Sequence, residues 1–108
     1  MMSDNFITLD QAKAYTKKYR DNLKDMLTSE YQGALSYCET LDADAVRTLL
    51  DQKGCVGFRI YYGLNDDNQV CAVLVGVNDK NEDILNGDDS VILENSFKCP
   101  TICPPELL

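Results

Sequence analysis

Two sets of side chains in this sequence have the types and spacing for chemistry. The first is Cys99 and Cys103, held in the run Cys99-Pro100-Thr101-Ile102-Cys103. One turn or loop built on Pro100 would bring their α-carbons to about 5–6 Å, inside the range a disulfide needs. Closing so short a loop would stabilise the fold by roughly 2 kcal/mol on a chain-entropy account. A redox role would need an exposed sulfur of low pKa, and Lys98 is the one cation next to the pair. The spacing differs from Cys-x-x-Cys, and a zinc site would have to recruit Cys38, Cys55 or Cys71 to reach four ligands. A structural anchor for the tail, bonded or not, is the preferred reading over a redox pair or a metal site, and no cofactor is expected.

The second set is Arg59 and Tyr61. A guanidinium beside a phenol can bind a carboxylate or a polypeptide chain through forked hydrogen bonds plus apolar contact. The competing reading is intramolecular: the proline-rich tail or the acidic 79–89 loop folds over this face and pairs Arg59 with a carboxylate such as Glu94. Monomers seldom leave a half-apolar face open. The acidic loop alternates Asp79, Asn81 and Asp83 like a calcium loop, but Ile84 stands where glycine is needed and Ser90 where a bidentate glutamate belongs. Gly54, Gly57 and Gly63 fall in or before a strand and lead into no helix, so they form no phosphate loop. Histidine is absent, which removes the commonest general base and metal ligand.

The element that must position Arg59 is a hairpin. The 54–64 and 69–77 runs are rich in β-branched and aromatic residues, and Asn65-Asp66-Asp67-Asn68 between them is dense in turn formers. A four-residue loop would set Leu64 against Gln69. Val56, Phe58, Ile60 and Tyr62 would then face Val77, Val75, Val73 and Cys71 across a core face. The other face would pair Gly57 with Gly76, Arg59 with Leu74 and Tyr61 with Ala72, a shallow glycine-floored surface with one cation and one phenol. Gly57, Arg59, Tyr61, Leu74 and Gly76 are therefore the candidate binding residues.

Around the hairpin, Thr8 and Gln11 form a capping-box pattern. Leu9, Ala12, Tyr15, Tyr19, Leu23 and Met26 then recur at helical spacing. Lys13, Lys17, Arg20 and Lys24 make a basic stripe beside them, which is either a docking surface or an ordinary solvated face. The 35–38 segment is a candidate edge strand. Asp42 or Asp44 caps a second helix over about 42–52, and Gly54 ends it in a left-handed conformation. Residues 90–94 supply a third strand, and three prolines bar the tail from a long helix or a central strand. The fold expected is one α+β domain over residues 1–108: an antiparallel three-stranded meander, with 35–38 as a possible fourth strand, and both helices on one face.

The Gly-Cys-Val-Gly-x-Arg-Ile-Tyr-Tyr-Gly-Leu run at 54–64, the Val-x-Val-Gly-Val run at 73–77 and the terminal Cys-Pro-x-x-Cys, Cys99 to Cys103, resemble a family of small uncharacterised bacterial proteins. The likeness covers about the last sixty residues well and the first helix loosely. Thr101 stands where the resemblance would place a second proline, which implies a less rigid tail. The resemblance implies no activity.

The formal charge of −8 argues against nucleic acid and anionic membranes, because phosphate binding rests on Lys and Arg. No run is long enough to span a bilayer, and Met1-Met2-Ser3-Asp4-Asn5 lacks the pattern of a signal peptide, so a cytoplasmic location is expected. Five cysteines, two of them in expected strands, argue against a full disulfide framework. The function expected is a non-enzymatic interaction module that binds a protein partner or its own copy through the Arg59/Tyr61 face or the basic stripe. A thiol protein using Cys99 and Cys103 is the alternative, and a small-molecule binder using the glycine-floored face a third.

Overall fold

A computed structural model describes residues 5–108. The Met1–Asp4 start, read above as unlike a signal peptide, lies outside them. Helix α1 (Leu9–Asn22) starts at Thr8, whose hydroxyl accepts from the Gln11 N–H while the Gln11 side chain accepts from the Thr8 N–H. A 3-10 turn extends it over Leu23–Met26. Strand β1 (Cys38–Thr40) precedes α2 (Ala43–Leu50), which is capped by Asp42 accepting from the Ala45 N–H. Gly54 follows at φ 78°, the left-handed terminator that the sequence requires. Strands β2 (Gly57–Leu64), β3 (Val70–Val77) and β4 (Ile92–Leu93) then form an antiparallel sheet in that order. The architecture is α+β, and no helix among the described residues is long and apolar enough to cross a membrane.

The hairpin forms, but in a register one residue from the one expected: Leu64 pairs with Val70, Arg59 with Val75 and Gly57 with Val77. The cause is Asn68, which sits at φ 59° and shortens the loop to Asp66-Asp67-Asn68, with the Asn65 N–H donating to the Gln69 carbonyl. A turn closed by a left-handed residue is a standard three-residue hairpin loop, and asparagine tolerates that conformation without glycine. The same device recurs at the next reversal. Asn65 Oδ1 accepts from the N–H groups of Asp67 and Gln69, and Asn65 Nδ2 donates to Gln69 Oε1. Asn78 does the same with Lys80, Glu82 and Glu82 Oε1, and Asn81 sits at φ 64°. The pattern Asn-Asp-x-Asn-Gln/Glu thus turns the chain twice, at 65–69 and 78–82.

The one-residue shift changes which side chains share a face. Phe58, Ile60, Tyr62 and Leu64 lie with Gly76, Leu74, Ala72 and Val70; Gly57, Arg59, Tyr61 and Gly63 lie with Val77, Val75, Val73 and Cys71. The core gathers on β3, where Leu74 is buried on the face covered by α2 with its fully buried Leu49, and Cys71, Val75 and Val77 are buried on the other. Val56, Phe58, Ile60 and Tyr62, expected inside, are exposed instead, Tyr62 to 81%. Near Gly76 the space is already taken: a β-carbon there would lie 2.7 Å from Gln52 Nε2 and 3.2 Å from Cys55 Sγ.

Every second peptide group of β3 points away from β2, and each of those positions is served by a different segment. The Val70 N–H donates to the Ala34 carbonyl, the Ala72 N–H to Glu39 Oε1 at 3.4 Å, and Leu74 pairs with Leu93 of β4. The Gly76 carbonyl accepts from the Ile84 N–H, and Asp83 bridges to Val77. Buried backbone groups demand partners, so this piecewise edge substitutes for a long third strand. The expected strand at 90–94 is accordingly reduced to Ile92–Leu93.

The 35–38 segment does not extend this sheet. Cys38–Thr40 pairs instead with β5 (Phe97–Cys99) as a separate two-stranded sheet. Nor does α1 pack on the same face as α2. Leu9, Tyr15 and Met26 at the margins of its stripe are exposed, and the helix is held along the middle of that stripe, where the Tyr19 hydroxyl donates to the Ser36 carbonyl and Thr16 and Arg20 donate to the Leu108 oxygen. Gly76→Ala is expected to destabilise the protein by about 1–3 kcal/mol in urea unfolding, the usual cost of overpacking. Asn68→Val should cost about 1–2 kcal/mol through its left-handed backbone, and Asn68→Gly should be close to neutral.

Candidate functional site

Arg59 and Tyr61 project from β2 on the face that also carries Val73, Val75 and Val77. Asp83 lies against the far edge of β3, opposite Val77. Its carboxylate therefore meets the two β2 side chains only by spanning β3, a distance of roughly two strand spacings, or about 10 Å. Arginine and tyrosine are long enough for that reach. Arg59 Nη1 donates to Asp83 Oδ1, and the Tyr61 hydroxyl donates to Asp83 Oδ2. Arg59 Nη2 donates to Asn81 Oδ1 at 2.6 Å and to the Asn81 carbonyl at 3.3 Å. The second Asn-Asp-x-Asn turn is what delivers Asn81 and Asp83 to this position.

The ion pair is half-buried, with the Arg59 side chain 29% and the Asp83 side chain 21% exposed. The Tyr61 hydrogen bond, joined by the Arg59 hydrogen bond and charge, holds the Asp83 carboxyl below its ordinary value against the opposing effect of desolvation. The same hydrogen bond raises the Tyr61 phenol, helped by desolvation and by the Asp83 charge. Both partners are thus held in the forms present at neutral pH, a carboxylate and a neutral phenol. The group is a satisfied clasp, with its cation, its carboxylate and its hydroxyl all engaged.

The acidic loop therefore covers this face, and Asp83 rather than Glu94 is the partner; Glu94 is exposed. The five candidate binding residues divide. Gly57, Arg59 and Tyr61 share the clasp face, while Leu74 and Gly76 are buried on the opposite one, so the glycine-floored surface does not form. Asn81 and Asp83, which the calcium-loop pattern brought to notice, act as hydrogen-bond acceptors for Arg59. Among the described residues, no cluster of three or more metal-ligating side chains comes together. A surface depression of about 580 Å³ opens beside the clasp, with Lys53 and Lys80 on its wall along with Asp79 and Asp83. The basic stripe does not stand as one free surface either: Arg20 holds the Leu108 oxygen and Lys17 pairs with Asp21.

Cys99 and Cys103 form a disulfide, with α-carbons 4.6 Å apart. Cys38, Cys55 and Cys71 are free thiols. Cys99 is fully buried, and its partner across the β1–β5 ladder is Cys38. One position along, Glu39 faces Lys98 at 3.5 Å and accepts from the Ser96 hydroxyl at 2.6 Å. This half-buried knot joins β1, β5 and the edge of β3. The Glu39 charge, after desolvation, also raises the nearby Tyr19 phenol.

The feature that the sequence reading missed is the outer side of β2. The Asn65–Gln69 bond fixes the alternation of the ladder, so the peptide groups of Phe58, Ile60, Tyr62 and Leu64 point away from β3. β2 is the edge of its sheet, and these groups have no backbone partner among the described residues. Their side chains are exposed together on one face. The signal was present in the sequence as the left-handed tolerance of Asn68, which sets the register. Compared with known proteins, the chain matches no family model, no curated protein and no solved structure.

The clasp predicts two pH limits. Stability from the depressed Asp83 carboxyl is present above the ordinary value of 3.8 and is lost as pH falls through its lower folded value; stability from the raised Tyr61 phenol is present below 10.0 and is lost as pH rises through its higher folded value. Carbon NMR of the Asp83 carboxyl should show a midpoint below 3.8 that moves upward in Tyr61→Phe, the partner with the largest effect. An unshifted midpoint in the unaltered protein would contradict the clasp.

Proposed function

We propose that this chain is a non-enzymatic protein-interaction module that binds through the outer edge and open face of β2. One observation carries the reading: an eight-residue edge strand leaves alternate peptide groups unpaired while Phe58, Ile60, Tyr62 and Leu64 stand exposed beside them. Edge strands of this kind accept a further strand, with main-chain hydrogen bonds supplying affinity and alternate side chains supplying selectivity. Natural sheets usually guard such an edge with lysine, proline or a short strand. β2 has none of these, and its one charged residue, Arg59, is neutralised by Asp83. The Arg59/Tyr61 pair contributes by holding the other face shut. A cytoplasmic location belongs to the same proposal and rests on the acidic composition and the free thiols.

Selection of random peptides displayed on phage against the immobilised chain should yield uncharged, proline-free extended sequences. Binding should fall about tenfold or more in Tyr62→Lys, since a lysine on the edge opposes strand addition. The reading fails if no peptide binds above background, or if Tyr62→Lys binds as well as the parent.

A second reading, a thiol-based redox role, is favoured by the position of Cys38. Residues directly opposite in a ladder have α-carbons about 4.5–5.5 Å apart, within disulfide range. The Cys38 thiolate can attack Cys99 Sγ, forming a Cys38–Cys99 bond and breaking Cys99–Cys103; Cys103 leaves as a thiolate and takes up the proton that Cys38 lost. Burial seals Cys99 from external thiols but not from its strand neighbour. Mild diamide oxidation of reduced Cys103→Ser should give a Cys38–Cys99 cross-link in peptide mass spectra. Recovery of both as separate thiols would remove this reading.

A further inference from the structure

We infer that the partner of the β2 edge is a second copy of this chain, joined β2 to β2 in antiparallel fashion across a twofold axis at Ile60. The inference rests on the edge-binding function proposed above and adds the identity of the partner.

The geometry of the edge restricts the pairing. Only Phe58, Ile60, Tyr62 and Leu64 direct their peptide groups outward, so a twofold pairing must set members of this group against one another. Two registers do so near the middle of the strand. One places Ile60 opposite Ile60 of the second copy and Phe58 opposite Tyr62; the other places Ile60 opposite Tyr62 and Phe58 opposite Leu64.

Cross-strand side-chain pairing selects between them. In the first register, Arg59 of each copy lies opposite Tyr61 of the other, whose hydroxyl is already bound to Asp83. Both head groups reach inward over β3 to Asp83, so no charge is brought to the seam, and on the other face Phe58 of each copy lies opposite Tyr62 of the second. In the second register Arg59 faces Gly63, and the aromatic pairs are replaced by Phe58 with Leu64 and Ile60 with Tyr62. The first is therefore the pairing assigned.

Charge favours a second copy over a basic partner. The chain carries a formal charge of −8, so most of its surface repels another copy. The β2 edge with its clasp is locally neutral, apolar on one face and complementary to itself under the twofold. A basic partner would find its carboxylates elsewhere. Joining two edges also gives the outward peptide groups of both copies their partners and makes one continuous six-stranded sheet of the two three-stranded ones. Phe58 and Tyr62 would form two cross-strand aromatic pairs flanking Ile60, the kind of pair that stabilises a ladder.

Sedimentation equilibrium over a concentration series tests the assignment. The unaltered chain should show a reversible monomer–dimer equilibrium, weakened by about tenfold or more in Ile60→Lys. Ile60→Cys should give disulfide-linked dimer under mild oxidation, well above the level formed by Leu64→Cys or by the unaltered chain with its native thiols, because only Ile60 meets itself at the axis. Circular dichroism checks that each variant is folded; if Ile60→Lys is not, the cross-linking comparison decides. A monomer at every concentration overturns self-pairing, as does a dimer indifferent to a folded Ile60→Lys, or an Ile60→Cys cross-link no stronger than that of Leu64→Cys. If the chain stays monomeric while the selected peptides still bind β2, self-pairing falls and the interaction function stands.

Discussion

The Asp83 carboxylate is the constraint on which the sheet depends. It reaches from one edge of β3 across to Arg59 and Tyr61 on β2, so a single group fastens the first strand to the third position over the second. Because the fastening passes over the valine face of β3, that face is closed without a helix. A second helix is consequently not needed there, and α2 alone covers the opposite side near Leu74 and Gly76. An exposed ion pair would contribute little to such an arrangement. This one is half-buried, shared with a phenol and an asparagine, and positioned by a turn with its own hydrogen-bond network.

Closing one face in this way leaves the other uneven. At Gly76 the sheet meets Gln52, Cys55 and Ile84 at contact distance. Farther along β2, toward Tyr62, cover gives out and the aromatic side chains are open to solvent. The unfilled surface is therefore a product of the same geometry that satisfies Arg59. Anchoring and exposure fall on opposite faces of one strand, the reverse of what residue types alone suggest: the cation is engaged, and the apolar residues are the accessible ones.

Much of the fold was legible in the sequence for local reasons. Thr8 with Gln11, Asp42 before Ala43 and Gly54 after α2 act through hydrogen bonds and backbone conformations within a few residues, and each appears where it was expected. The hairpin itself was equally plain. Its register was not, because it turns on whether Asn68 adopts a left-handed backbone, and asparagine is compatible with either answer. One residue of slip exchanged the two faces and with them the candidate site. The repeat of Asn65-Asp66-Asp67-Asn68-Gln69 in Asn78-Asp79-Lys80-Asn81-Glu82 was the available clue: two matching polar turns flanking one apolar strand imply matching geometry, which would have brought Asp83 alongside β3. The pairing of β1 with β5 had no local signal, since it joins segments distant in the chain.

That last pairing bears on the order in which the chain folds. Glu39 finds Ser96, its partner 57 positions later, only when the last strand has been made. Until then β1 has no strand to pair with, the edge of β3 near Ala72 lacks its carboxylate acceptor, and the hairpin is complete but uncovered at that end. Contacts of such separation form slowly, since loop closure must be paid for before they repay it. The hairpin, whose strands are close in sequence, can therefore form before this pairing, and the joint between β1 and β5 is a late step in folding.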